Sequence, residues 1–183
     1  QRQMCIRDSP YCQDNAVNWL DWRLTEENRD FLTFVKWAVA LRREHPILHC
    51  PEELTMLDYL SCGCPDLSYH GEEAWKLNTD RQNRIAGVMY CGRYAKKNRK
   101  ENDESFYIAY NMHWEPHEFA LPNLPKGRAW QMVFNTAEDS VNGFWPEGKG
   151  PVLKDQKKVM IGARAVCVFM ENPEVLPLSL IHI

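Results

Sequence analysis

Apolar positions from Phe31 to Leu41 recur at spacings of three and four: Phe31, Phe34, Val35, Ala38 and Leu41. That period lays them along one side of an α-helix. Thr25 suits an N-cap, Glu26 and Glu27 fall in the first turn, and Arg42 and Arg43 fall in the last. Each charge then sits where the helix dipole favours it. Pro46 stops the element, because the residue before a proline is pushed out of the α region. The pattern predicts a helix over Glu26–Arg43, with Trp37 off the stripe and packed against something else. A helix with one apolar face is not stable alone in water.

From about Arg84 the period shortens. Ile85–Tyr90, Phe106–Asn111, Glu118–Leu121, Trp130–Phe134, Val159–Ile161 and Ala165–Met170 are short β-branched or aromatic runs. Turn signals separate them at Asn98-Arg99, Pro116, Pro122–Gly127, Asn142-Gly143 and Gly148–Pro151. Short strands punctuated this regularly predict an antiparallel β-sandwich. Phe106 to Phe119 reads as a strand, a bend at Trp114-Glu115-Pro116 and a second strand. Between His45 and Arg84 the chain is irregular. Met56–Leu60 can form a short strand, and Gly63 and Pro65 then break any regular element. Asp66–Glu73 carries three acids and a histidine, but no ligand spacing matches a known site. It is expected to be a turn-rich crossing segment with capping or solvated polar groups.

The stretch Pro10–Trp22 (PYCQDNAVNWLDW) has no clear period and reads as an ordered loop. Tyr11, Gln13, Asp14 and Asn15 supply hydroxyl-pairing groups, and Trp19 and Trp22 supply indole faces. Such groups suit sugar binding. A structural loop whose tryptophans pack into a core is the competing reading.

This stretch also carries a resemblance. PYCQDNAVNWLDW, a helix, and then LRREHPIL resemble the end of the catalytic barrel in bacterial glycogen debranching enzymes. These belong to the isoamylase-like branch of glycoside hydrolase family 13. Gly63-Cys64-Pro65-Asp66-Leu67-Ser68-Tyr69-His70-Gly71 and Tyr107–Glu115 extend the match in the same order, over roughly 10 to 172. The resemblance implies an α+β fragment: the last helix and loop of a (β/α)₈ barrel, followed by an antiparallel β-sandwich known as domain C. It implies a barrel tail at 10–46, a crossing segment at 47–83 and the sandwich at 84–172. The activity implied is hydrolysis of α-1,6 branch linkages in glycogen or related α-glucans, with retention. In the family the nucleophile, the general acid/base and the second Asp all precede the YCQDN loop. None maps onto a residue here, so this polypeptide is expected to be inactive while its parent is active. Tyr11, Gln13, Asp14 and Asn15 are the candidate substrate-binding residues, at the rim of the active site. Some family members bind calcium, but nothing here has the spacing of a calcium loop. No cofactor or metal is expected.

The totals narrow the alternatives. The chain has 183 residues, 44% hydrophobic and 26% charged, an ordinary globular composition. A net charge of -3 argues against nucleic acid as the main partner. No run reaches the length of a membrane span. The basic cluster Lys96–Lys100 runs into Glu101, Asp103 and Glu104, so it reads as a solvated hairpin loop. Of seven cysteines, Cys62-x-Cys64 lacks the gap of a zinc knuckle. Free, mostly buried thiols in a reducing cytoplasm are expected. Gln1–Ser9 and Leu178–Ile183 resemble translated sequencing-adapter read-through and stand outside this domain scheme. A non-catalytic alternative is a stand-alone carbohydrate-binding or structural β-sandwich, suggested by Trp114, Trp130 and Trp145. The orphan helix argues against it.

Overall fold

The computed structural model describes residues 19, 21–80, 82–138 and 143–173. Two helices lead: α1 (Arg23–Glu27) and α2 (Arg29–Glu44), then a 3₁₀ turn at Pro46–His49. Seven strands come after them: β1 (Leu67–His70), β2 (Ile85–Tyr90), β3 (Phe106–Asn111), β4 (His117–Ala120), β5 (Arg128–Asn135), β6 (Lys158–Ile161) and β7 (Ala165–Pro173). They form an antiparallel sheet ordered β1-β2-β3-β7-β5 and a two-stranded ribbon β4-β6.

The central strands read as continuous apolar runs because both faces of the sheet are covered. Tyr107, Ala109, Cys167 and Phe169 point to one side, where Phe119 and Ile161 of the ribbon complete a core around Trp130. Phe106, Val168 and Met170 point to the other, where Ile47 and the α2 side chains Phe34, Trp37 and Leu41 pack. The ribbon is therefore the small leaf of a sandwich, and α2 lies against the opposite face. Tyr107 ties ribbon to sheet, its hydroxyl donating to the Ala120 carbonyl at 3.0 Å. Gly87 makes room for it, since a Cβ there would strike the Tyr107 ring. A bulge in β5 between Met132 and Phe134 lets Val133 and Phe134 both join the α2 face.

Several expectations change. The helix begins before Thr25 and breaks at Asn28, whose side chain donates to the Leu24 carbonyl at 2.9 Å, in competition with the backbone ladder. Asp21, not Thr25, bonds the first helical N–H, at 3.1 Å from Arg23 N. The apolar stripe divides. Phe34, Trp37 and Leu41 face the sheet, with Trp37 stacked on Phe134 at 5.5 Å, while Phe31 and Val35 stand exposed. Met56–Leu60 is not a strand; Met56 sits at φ +59 and Asp58 caps the turn ahead of Gly63. A strand also forms earlier than Arg84, because β1 pairs with β2 along the sheet edge. Pro46 does end α2, with His45 extended before it.

Candidate functional site

Where β1 gives way to the loop toward β2, and β3 bends toward β4, the chain leaves a cleft of about 520 Å³. Glu72, Glu73, Asn78, Arg84, His113 and His117 are among the residues that line it. Asn111 orders the bend: its side-chain amide donates to the carbonyls of Glu115 and Gly162, each at 2.8 Å, and its Oδ1 accepts from His113 N at 3.0 Å. The bend presents Trp114, 58% exposed, with His113 stacked on it at 4.0 Å and the Arg84 guanidinium 5.5 Å from its ring. Across the cleft, Glu73 pairs with Lys76 at 3.0 Å and Glu72 lies 3.6 Å from His117 Nδ1. His117 Nε2 is buried with no hydrogen-bond partner among the described residues. Amides, carboxylates and an indole at one surface can hold a sugar. Glu72 and Glu73 are both exposed, unlike the buried carboxyl of a general acid in an apolar pocket.

The acidic segment Asp66–Glu73 does not converge on one site. Asp66 is buried and accepts four hydrogen bonds, from Thr55 N, Thr55 Oγ1, Met56 N and Leu67 N, at 2.7–3.0 Å. It is a cap that holds the loop in place. His70 is fully buried: Nδ1 accepts from Trp75 N at 2.8 Å, so the proton sits on Nε2, which faces Ser68 Oγ at 2.8 Å. Burial drives its pKa down to about 4, and the ring is neutral. Of the tryptophans named for a binding module, Trp130 is wholly buried, with Nε1 donating to the Pro122 carbonyl. Trp145 is half-buried in a cavity it shares with Trp37. They do not share one binding face.

A second polar cluster pins α2 to the sheet. His45 Nδ1 lies 2.7 Å from Asp103 Oδ1 and 3.4 Å from Glu104 Oε2, and Asp103 Oδ2 accepts from Ile47 N at 2.9 Å. Burial opposes a charge on His45, but the hydrogen bonds to Asp103 and Glu104 outweigh it and raise the pKa to about 9. Glu104 is drawn down to about 2, first by His45 and then, against the cost of burial, by Lys97. This is a buried ion pair with a clamping role.

Tyr11, Gln13, Asp14 and Asn15 lie outside the described residues. The cleft residues Arg84, His113 and His117 are not among the sequence candidates. The one signal for them is an aromatic bend between two strands. Three cysteines also meet, Cys62, Cys64 and Cys91. Of the described cysteines only Cys91 and Cys167 are buried, fewer than the mostly buried set expected, and nothing in the spacing of Cys62, Cys64 and Cys91 foretells their cluster. No helix among the described residues is long and apolar enough to cross a membrane.

Comparison with known proteins agrees with the motif resemblance. No protein-family profile matches the chain. The chain is 27% identical over 141 residues, 69% of its length, to the glycogen operon protein GlgX homolog of Mycobacterium tuberculosis (strain ATCC 25618 / H37Rv). It is 26% identical over 162 residues, 88% of its length, to an isoamylase of Pseudomonas amyloderamosa. It spans only 19% of either relative. A stretch of 41 residues is 44% identical to a glycogen debranching enzyme of Salmonella typhi, covering 22% of this chain and 6% of that one. In fold, 85% of the chain superposes on 17% of a Bacillus subtilis type I pullulanase solved with maltose, at a TM-score of 0.53 and 14% identity. The chain is thus similar in sequence to proteins named as a GlgX homolog, an isoamylase and a glycogen debranching enzyme, and it spans about a fifth of the length of the first two.

Proposed function

We propose that this chain is the C-terminal part of a cytoplasmic debranching enzyme that hydrolyses α-1,6 linkages in glycogen or a related α-glucan, with retention. The observation that carries the reading is the extended likeness to a GlgX homolog and an isoamylase over most of the chain. In this reading 10–46 closes the catalytic barrel, the chain then crosses over, and the sandwich domain runs to 172 with its edge strand already at Leu67–His70. Tyr11, Gln13, Asp14 and Asn15 belong to the rim of the active site. The outward side chains of α2 support it: Phe31, Val35 and Val39 are 62%, 38% and 51% exposed. A barrel helix covers such side chains with strands, and each is worth roughly 1.5–3 kcal/mol when fully buried. In the resemblance the acids of retaining hydrolysis map onto no residue of this chain, and the close carboxylates of Asp103 and Glu104 are both engaged by His45. The chain by itself is therefore inactive, and its cleft beside Trp114 gives it a place to hold a glucan.

The test is direct. Purified chain incubated with glycogen should release no reducing ends above a boiled control; clear release would overturn the reading of its role. A non-catalytic carbohydrate-binding module is the second reading, favoured by the cleft. Genomic sequence upstream of Pro10 separates the two: a barrel with three catalytic acids supports the enzyme, an unrelated domain the module.

A further inference from the structure

Cys62 and Cys64 lie in the loop before β1, and Cys91 stands directly after β2. The intervening Gly63, at φ +92, turns the chain so that both loop thiols reach one point. Cys62 Sγ and Cys64 Sγ are 3.8 Å apart, and Cys64 Sγ lies 2.7 Å from Cys91 Sγ. All three sulfurs fall within 4.8 Å of one another.

The scaffold holds them from several directions. Asp58 accepts from Cys62 N and Gly63 N, both at 2.9 Å, and lies 2.7 Å from Tyr94 Oη. Arg93 Nη1 donates to the Cys62 carbonyl at 3.1 Å. Cys91 N donates to the Asp66 carbonyl at 3.0 Å, which ties the end of β2 to the cysteine loop. Cys91 is fully buried, while Cys62 and Cys64 line a cavity of about 260 Å³ with Met89, Arg93 and Ser105. Three sulfurs converge from two segments at the inner end of an open cavity.

We propose that Cys62, Cys64 and Cys91 form a three-thiolate site for a thiophilic metal ion of the zinc class, with its fourth position facing this cavity. A zinc–thiolate bond is about 2.3 Å, so sulfurs on a tetrahedral ion stand roughly 3.8 Å apart. The Cys62–Cys64 pair already has that separation. The Cys64–Cys91 pair, at 2.7 Å, must open by about 1 Å to supply the second edge. Arg93 at the cavity wall offsets the excess negative charge of three thiolates on one dication. A bound ion would fasten the loop over 51–66 to the edge of the sheet, because its ligands come from both; with three protein ligands its fourth position stays open, unlike a closed structural site. The site does not depend on the glucan reading.

The whole chain, reduced and stripped by chelator, is titrated with Co²⁺ as a spectroscopic stand-in for zinc. One equivalent should bind and give sulfur-to-metal charge-transfer absorption of tetrahedral thiolate type, and Zn²⁺ should displace it and raise the Tm. Cys64→Ser should weaken binding by roughly 100-fold or more, beyond the 10–100-fold typical of an outer-shell partner. Cys62→Ser, at a half-exposed position, carries the same expectation should Cys91→Ser fail to fold, and Cys50→Ser should bind like the parent. Absence of charge-transfer absorption from the reduced chain would overturn the proposal. So would binding that survives Cys62→Ser and Cys64→Ser unchanged. A Cys64–Cys91 disulfide that forms in air, from a chain that takes no metal once reduced, would overturn it too.

Discussion

The two faces of the five-stranded sheet are covered to different degrees. On the ribbon side Tyr107, Phe119, Trp130, Ile161 and Phe169 are all at 0% exposure. On the helix side the sheet residues Phe106 and Met170 are equally buried, but no residue of α2 is. The ribbon is short, yet its inward side chains Phe119 and Ile161 both meet the sheet. The helix is long, and only Phe34, Trp37 and Leu41 do. The difference lies in how the layers are attached. Tyr107 Oη, donating to the Ala120 carbonyl, and the Ala120 N–H, donating to the Gly71 carbonyl at 3.0 Å just past β1, tie the ribbon to the sheet. The helix is held by aromatic stacking at one turn and by the His45–Asp103 pair at its end. One sheet face is thus closed by packed side chains and hydrogen bonds to the ribbon backbone, the other by aromatic stacking and a charged pin.

The sharpest way to break this comparison is truncation on each side. Phe169→Ala should cost about 3–5 kcal/mol, since it opens a cavity in a closed core. Phe31→Ala, on the outer side of α2, should stay within about 0.5 kcal/mol. Denaturant unfolding measures both, and similar losses would abolish the contrast.

Proton linkage comes next. His45 has a folded pKa of about 9, above its unfolded value near 6.5. Its contribution is complete below pH 6.5 and is lost as pH rises through 9, about 3 kcal/mol at most. His70 is the mirror case, with a folded pKa of about 4. Its contribution is complete above pH 6.5 and is lost as pH falls through 4, by a similar amount. Stability against pH, compared between parent, Asp103→Asn and His70→Gln, should show the alkaline slope flattened in the first variant and the acid slope in the second. A parent-like alkaline slope in Asp103→Asn would remove the charged pin from the account.

The smallest effect sharpens the picture of the open face. Phe31→Glu with Val35→Lys should lower binding of an apolar dye while leaving stability within about 0.5 kcal/mol per site. Unchanged dye binding would place the apolar surface elsewhere.

Much of the strand layout is legible in the chain. Phe106–Asn111 and Ile85–Tyr90 match their strands to the residue, because apolar runs between turn signals carry their own boundaries. Pro46 marks the end of the helix, since its constraint on His45 is local. The helix start is not legible. Asn28 looks like any polar helical position until its side chain is seen on the Leu24 carbonyl. Nor is the division of the apolar stripe, because Phe34 and Phe31 differ only in what lies opposite them. The candidate site is the least legible part: the cleft joins a loop after β1 to a bend after β3, and no spacing links them.

Sequence alone determined where most strands form and to which enzymes the chain is similar. Short-range pattern and motifs kept in order are enough for these. Tertiary structure alone decided that His45 is charged and His70 neutral, two residues of one type with opposite surroundings. It also decided that Leu67–His70 completes the sheet edge and that Cys91 joins Cys62 and Cys64 across 27 residues or more. A side chain's charge and partners depend on groups far away in the chain, and only folding sets those distances.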